Sequence, residues 1–404
     1  MVGTRKRGES ATVLLLRITY TQKTPGHARF KAERGRQGMS SKTALIHYFS
    51  GTGNTAHAVD LVTWELQRHG YAVSRHGVEA GAPAPPVPVE PFDLQLFAFP
   101  VYGFSAPARF LDHVRALPRP AGPAAAAVLS VNGATLTAAG DLRPGNSGGS
   151  GEAVAALLQR KGYAVFLTGT ASYPVYWTQV LSPAGDGERR LMGEQGDEQV
   201  QTFAGQLARR VPGRAPGNRL LRVLGGGVAW LFRCSGRRML GKLFVADQEC
   251  NGCGRCAKEC PAGTIVMAGQ RPVWGGDCQG CNRCINRCPQ RAIQTSVLRL
   301  VVHLPLVMLA ELVLAILIVE YGRLLVLHWP ALLFWPLAAA AIVAMLAAVT
   351  WFQLTGLDQG LRKLERMPRL RPLFEWTFTR NFRRAHAPGF CPLGHGKDPA
   401  PPPR

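Results

Sequence analysis

The chain has 404 residues, a formal net charge of +22 from 47 Lys and Arg against 25 Asp and Glu, and 47% hydrophobic residues, a length that suits two or three folded units. Its excess of base suits an anionic membrane surface or an acidic protein partner, and with no helix-turn-helix or interleaved basic and aromatic pattern in view, nucleic acid is not the expected partner. Ten cysteines, most in regular CxxC spacing inside a long chain, argue for metal ligands in a reducing compartment rather than a secreted disulfide framework.

Residues 1–42 read as a basic N-terminal extension. The first 38 hold nine Lys and Arg against two Glu. Their apolar run, "ATVLLLRITY", is brief and broken by Arg17, so no signal peptide is expected. The segment reads as a basic tail or as sequence upstream of a start at Met39. Residues 43–211 then alternate strand-like and helix-like runs. "TALIHYF" (43–49) is short and apolar, as a strand buried on both faces should be. "TAHAVDLVTWELQRHG" (55–70) has helical spacing and closes on Gly70. Further strands are predicted over 71–78, 92–100, 124–131 and 163–170, and further helices over 107–118, 152–162 and 188–210. This alternation predicts an α/β class with a doubly wound parallel five-stranded sheet.

Residues 212–243 form a basic linker. Its segment "RLLRVLGGGVAWLFRCSGRRMLGKLF" (219–244) reads either as an interfacial amphipathic helix or as a connector covering the next domain, with Cys234 in a structural role. Residues 244–296 carry two like runs, "CNGCGRCAKECP" (250–261) and "CQGCNRCINRCP" (278–289). A CxxCxxC loop can wrap three corners of an iron–sulfur cube, with the fourth thiolate arriving from afar. Zinc sites instead pair CxxC units across a longer loop. Gly252, Gly254 and Gly280 let backbone amides approach the sulfurs.

Residues 297–353 are expected to be a transmembrane helical hairpin. Residues 300–319 and 331–352 are each long and apolar enough to cross the roughly 30 Å hydrocarbon core. Basic residues crowd both flanks, which places them, the basic tail 354–404 and the folded domains on the cytoplasmic side of the inner membrane. Glu311, within the first span, reads as a proton-carrying group or as a protonated, hydrogen-bonded one. His303 and His328 fall at opposite ends of the hairpin, about a membrane thickness apart, and cannot clamp one haem within it. The tail offers His386, Cys391 and His395 as a weak metal set.

The loop "FSGTGNTAHAV" (49–59) sets hydroxyls and backbone amides between a strand and a helix N-terminus, a phosphate-binding arrangement. It lacks the Lys-Ser/Thr of a nucleotide P-loop and the GxGxxG of a dinucleotide fold. In a sheet of order 2-1-3-4-5 the ligand sits at the switch between strands one and three. There the loops "PVYGFSAP" (100–107) and "VNGAT" (131–135) converge on the first.

The first domain resembles flavodoxin, whose phosphate loop [ST]-x-T-G-x-T is matched by Ser50-Gly51-Thr52-Gly53-Asn54-Thr55. The resemblance implies FMN, with those six residues at its phosphate, Tyr102 and Gly103 near the isoalloxazine and Asn132 and Gly133 on its other side. The aromatic residue that flavodoxins often stack from the third loop is missing beside Asn132. Tyr173, Tyr176 and Trp177 follow strand five and are read as a flavin cap, as a contact with the second domain or as packing. The cysteine region resembles the bacterial two-[4Fe-4S] ferredoxins, a small α+β fold. That resemblance implies a crossed wiring: Cys250, Cys253, Cys256 and Cys288 hold one cluster, and Cys278, Cys281, Cys284 and Cys260 the other. Together the two are similar to the flavodoxin–ferredoxin fusion family, to which the hairpin is an addition. The expected function is membrane-anchored electron transfer between FMN, two [4Fe-4S] clusters and a redox protein, a membrane redox complex or the quinone pool. A flavin-dependent quinone or small-molecule reductase and an iron–sulfur redox sensor are the alternatives.

Overall fold

The computed structural model describes residues 42–81, 92–122, 124–136, 142–215, 219–304 and 331–392. Strand β1 (Lys42–Tyr48) runs parallel between β2 (Tyr71–Gly77) and β3 (Leu94–Pro100). Strand β3 pairs parallel with β4 (Ala124–Leu136), and β4 with β6 (Tyr163–Pro174). Five parallel strands thus stand in the order 2-1-3-4-6, with the two-residue β5 (Leu142–Arg143) antiparallel on the end of β4. The chain direction across the sheet reverses between β1 and β3, which opens a crevice at their carboxyl ends.

Alternation along the strands builds a core on each face. Leu96 and Ala98 of β3 face α1 (Asn54–Arg68) and α4 (Asp186–Ala208), where Val59, Val62, Phe203 and Leu207 are buried. Phe97 and Phe99 face α2 (Ala108–Ala116) and α3 (Ser150–Arg160), against Phe110, Val114, Val154 and Leu158. Each such side chain contributes about 1.5–3 kcal/mol through burial. Strand β4 runs five residues past the end expected from the sequence. Its extension finds partners in β5 and in the end of β6.

The linker forms α5 (Arg219–Leu231), a π-helical turn (Phe232–Gly236) and α6 (Arg237–Lys242). Phe232 packs against Gly103, and Arg237 and Lys242 are buried, while Val228, Trp230 and Leu231 are exposed. The cysteine region is an α+β unit. Strand β7 (Phe244–Ala246) pairs with β10 (Ile293–Thr295), and β8 (Ile265–Ala268) with β9 (Arg271–Trp274), around Phe244, Ile265, Trp274, Ile285 and Ile293. Its two halves repeat each other. Gly254 precedes α7 (Arg255–Lys258) at φ 71°, and Asn282 precedes α8 (Arg283–Arg287) at φ 59°. Gly or Asn stands there because both enter the left-handed region readily.

Helix α9 is described over residues 297–304. Helix α10 (Ala331–Phe352) continues through a π-helical turn (Gln353–Leu357) into α11 (Asp358–Glu365) and then α12 (Arg371–Phe374). Among the described residues no helix is long and apolar enough to cross a membrane. The first expected span is described only to residue 304. The second forms the 22-residue α10, which holds no charged residue but has many side chains outside the described set. Glu311, His328 and His395 also lie outside the described residues. The α/β sheet and the cysteine region belong to one compact unit, Ser41–Arg404. The tail crosses both: Ala387 N–H donates to Thr52 O at 2.8 Å, and Arg287 Nη1 donates to Phe390 O at 3.2 Å.

Candidate functional site

Cys250, Cys253, Cys256 and Cys288 line one small cavity. Cys260, Cys278, Cys281 and Cys284 line another. Each group takes three residues from one run and the last from the other. Burial pushes the Cys256 thiol up to about 12, with Cys288 adding to it, and pushes Cys281 up to about 12 and Cys278 up to about 11. Such thiols become thiolates when iron or another cation replaces the proton. Among the described residues no group of three or more His, Cys, Asp or Glu side chains forms a site for a single metal ion. Four sulfurs spread around a cavity suit a bulky cluster better than tetrahedral zinc. Backbone donors tune them: Gly280 N–H lies 3.4 Å from Cys278 Sγ, and backbone N–H groups of Ala292, Gln290 and Ile293 face Cys288.

A cavity of about 440 Å³ opens at the switch between β1 and β3, a size typical of cofactor pockets. Ser50, Gly51, Thr52, Asn54 and Thr55 form one wall, and Tyr102 and Gly103 another. Ser50 Oγ accepts the Ala56 N–H at 3.2 Å. Among the described residues helix α1 has no side-chain cap, and Thr55 Oγ1, buried on the wall, has no hydrogen-bond partner. An uncapped helix N-terminus with an unpartnered hydroxyl fits a phosphate ester. Tyr102 and Ser105 exchange two backbone hydrogen bonds, closing a turn in which Gly103 and Phe104 both have positive φ. Burial holds the Tyr102 phenol far above its usual range, with Cys281 adding to it.

Of three further expected contacts, Asn132 and Gly133 line the cavity and also have other duties, and Gly53 does not line it. Gly53 is off the cavity wall. At φ 107° it makes the left-handed turn into α1, and a Cβ there would meet Phe390 Cβ at 2.6 Å. Asn132 reaches the wall, but its Nδ2 donates to Gly145 O and Ser147 Oγ, both at 3.0 Å, and its Oδ1 accepts from Ser172 Oγ at 2.6 Å. Its amide thus braces the loop at 145–147. Gly133 makes room for Val175, whose Cγ2 would lie 2.4 Å from a Cβ.

Strand β6 runs past the expected end at 170, so Tyr173 lies within it, in the core, and donates its hydroxyl to Asp197 at 2.8 Å. Tyr176 and Trp177 line the cavity. The wall also includes Phe104, Asn146, Phe232, Leu240, Cys281 and Asn282, which sequence reasoning missed. The linker's aromatic residues were the visible signal for Phe232. In the tail, His386 Nδ1 lies 3.0 Å from Ala387 O.

Cys281 thus belongs both to a cysteine group and to the wall of the β1–β3 cavity. A Cβ on Gly51 would stand 2.9 Å from Cys281 Cβ and 2.1 Å from the Tyr102 hydroxyl. Arg283, 1% exposed, crosses the same boundary: its Nε donates to Gly51 O at 2.7 Å and its Nη1 to Glu79 Oε2 at 2.8 Å. Thr178 Oγ1 donates to Asn286 Oδ1 at 2.6 Å, and Gln179 N–H to Asn282 Oδ1 at 2.9 Å.

Residues 249–295 match the family described as 4Fe-4S dicluster domain. No curated protein matches the chain. Among solved structures, rubredoxin oxygen:oxidoreductase from Desulfovibrio gigas is 13% identical at a TM-score of 0.29, over 42% of this chain and only 37% of its own. A short-chain flavodoxin associated with a non-canonical PDU bacterial microcompartment is 14% identical at 0.29, over 42% and 98%. The Fusobacterium nucleatum flavodoxin bound to flavin mononucleotide is 15% identical at 0.28, over the same shares. The flavodoxin-like assignment rests on the strand order and the loops at its switch point. The chain thus joins a doubly wound sheet of order 2-1-3-4-6 to a region, residues 249–295, that matches a 4Fe-4S dicluster domain.

Proposed function

We propose that the protein is a membrane-anchored electron carrier, with FMN in the β1–β3 cavity and one [4Fe-4S] cluster in each cysteine group. The single observation that carries this reading is the shared position of Cys281, a member of one cysteine group on the wall of the cavity. When bound, FMN exchanges electrons singly or in pairs and the clusters exchange them singly, so together they split a two-electron exchange into one-electron steps. The chain's own residues supply the holding. The α1 N-terminus and Thr55 receive the phosphate, Tyr102 and Trp177 screen the ring from water, and Arg283 fixes the cluster loop against the phosphate loop. A hairpin of residues 300–319 and 331–352 anchors the carrier, with its domains on the cytoplasmic side of the inner membrane. Its electrons pass to or from a redox protein, a membrane redox complex or quinone.

The test is composition. Protein purified without oxygen from carbonate-washed membranes should hold one FMN and about eight irons per chain. Full iron without flavin would contradict the flavin site, and release by carbonate would contradict the anchor.

A further inference from the structure

A further cavity, of about 220 Å³, lies between the cysteine region and α11, far in sequence from the flavin loops. Six basic side chains line it: Lys242, Arg271, Arg299, Arg362, Arg366 and Arg371. Among the described residues only two carboxylates join them, Asp358 and Glu365, and both are already engaged. Asp358 takes Lys242 at 2.8 Å, Arg362 at 3.0 Å and Arg299 at 3.1 Å, and Glu365 takes the other end of Arg299. Arg371 pairs with Glu375 at 2.7 Å. Arg271 donates to the main-chain carbonyls of Ala246 and Asp247, and carbonyls do not neutralise its charge. The cavity wall therefore carries a clear excess of positive charge.

Among the described residues, two buried donors of wall residues have no hydrogen-bond partner, Trp274 Nε1 and Arg299 Nε. Arg299 is 3% exposed, and its Nε has no hydrogen-bond partner. A buried, unpartnered guanidinium N–H costs free energy unless an acceptor meets it. A phosphate oxygen would do so, and guanidinium groups suit phosphates in charge and geometry.

The cavity's place separates a lipid from a soluble phosphate. Arg299 lies on α9, and Asp358, Arg362 and Glu365 on α11, the helices adjoining the two apolar segments. On α9, Val301 and Leu304 are exposed, as are Trp351 and Phe352 at the end of α10. These apolar groups suit acyl chains, and the basic cavity beside them suits a headgroup. We propose that this cavity binds the phosphodiester headgroup of an anionic phospholipid at the cytoplasmic surface. The proposal rests on the membrane-anchored reading above.

The test uses full-length protein purified from carbonate-washed membranes in mild detergent, examined by native mass spectrometry with added phosphatidylglycerol or phosphatidylcholine. The comparison is an Arg362→Gln/Arg366→Gln double variant. Neither residue touches a cysteine group or the flavin cavity, so unchanged iron content would report an intact fold. Wild type should prefer phosphatidylglycerol, and that preference should fall about thirtyfold in the variant. Equal retention of both lipids, or the same preference in the variant, would overturn the site while leaving the anchor standing. Binding of inorganic phosphate with no lipid preference would overturn the lipid as its source. Release of the protein by carbonate would overturn the anchor itself, and the lipid site with it.

Discussion

Arg283 and Glu79 form a two-point ion pair across the boundary between the sheet and the cysteine region, at 2.8 Å and 2.7 Å, with both side chains buried. The same guanidinium donates to the carbonyls of Gly51 and Ser50. One side chain from the second cysteine run thus holds the proposed phosphate loop in place. Removing one partner of such a pair typically costs about 3–5 kcal/mol, because the other charge stays buried. Arg283→Met should lower the midpoint of anaerobic denaturation and speed flavin release, both followed by flavin fluorescence. Glu79→Gln/Arg283→Met should recover part of the loss, since neither charge then remains.

The two cavities lined by cysteine predict crossed effects. Cys288→Ser should remove the cluster signal of the group formed with Cys250, Cys253 and Cys256 and spare the other. Cys260→Ser should do the reverse. EPR of the reduced variants, with iron counts, checks this. Loss of the cluster belonging to the mutated run instead would show that each run closes on itself.

Thr55 offers a cleaner probe of the phosphate site than any glycine. Its hydroxyl has no partner among the described residues, so Thr55→Val should break no internal hydrogen bond and leave stability unchanged. A hydrogen bond to a charged group contributes about 1.5–3 kcal/mol, so FMN affinity should fall by about tenfold or more. Riboflavin, which lacks the phosphate, should bind both forms alike. Titration by fluorescence quenching measures all four values.

Legibility from sequence followed how local each feature is. The cysteine runs and the loop 50–55 carry their chemistry within a dozen residues, so spacing exposed both. The two cores follow from strand alternation. Arg283 and Gly51 are 232 positions apart, and no local pattern marks either as the other's partner. Phe232 on the cavity wall and Phe390 against Gly53 likewise depend on long-range docking. Asn132 was visible by position, but its duty depends on Ser147 and Ser172, which only the folded chain brings to it.

Helices α1 and α4 are tied by His57 Nε2 and Asp197 Oδ1 at 2.7 Å. Donating this hydrogen bond to the Asp197 carboxylate raises the His57 pKa above 6.5. A raised folded-state value means the contribution is complete below the unfolded pKa and is lost as pH rises through the folded one. Both side chains are about a third exposed, so the effect is small. The denaturation midpoint of wild type minus that of His57→Gln should be positive near about pH 6 and shrink toward about pH 9. A difference that grows with pH would contradict the pairing.

Contact between the Cys281 loop and the flavin cavity is the centre of this account, and anaerobic flash photoreduction tests it most directly. The flavin would be reduced by a light pulse and the clusters followed by absorbance and freeze-quench EPR. Electrons should reach a cluster in a first-order process whose rate is independent of protein concentration and falls in Gly51→Ala, where a Cβ would strike Tyr102 and Cys281. A rate proportional to protein concentration, or clusters that stay oxidised beside a reduced flavin, would contradict it.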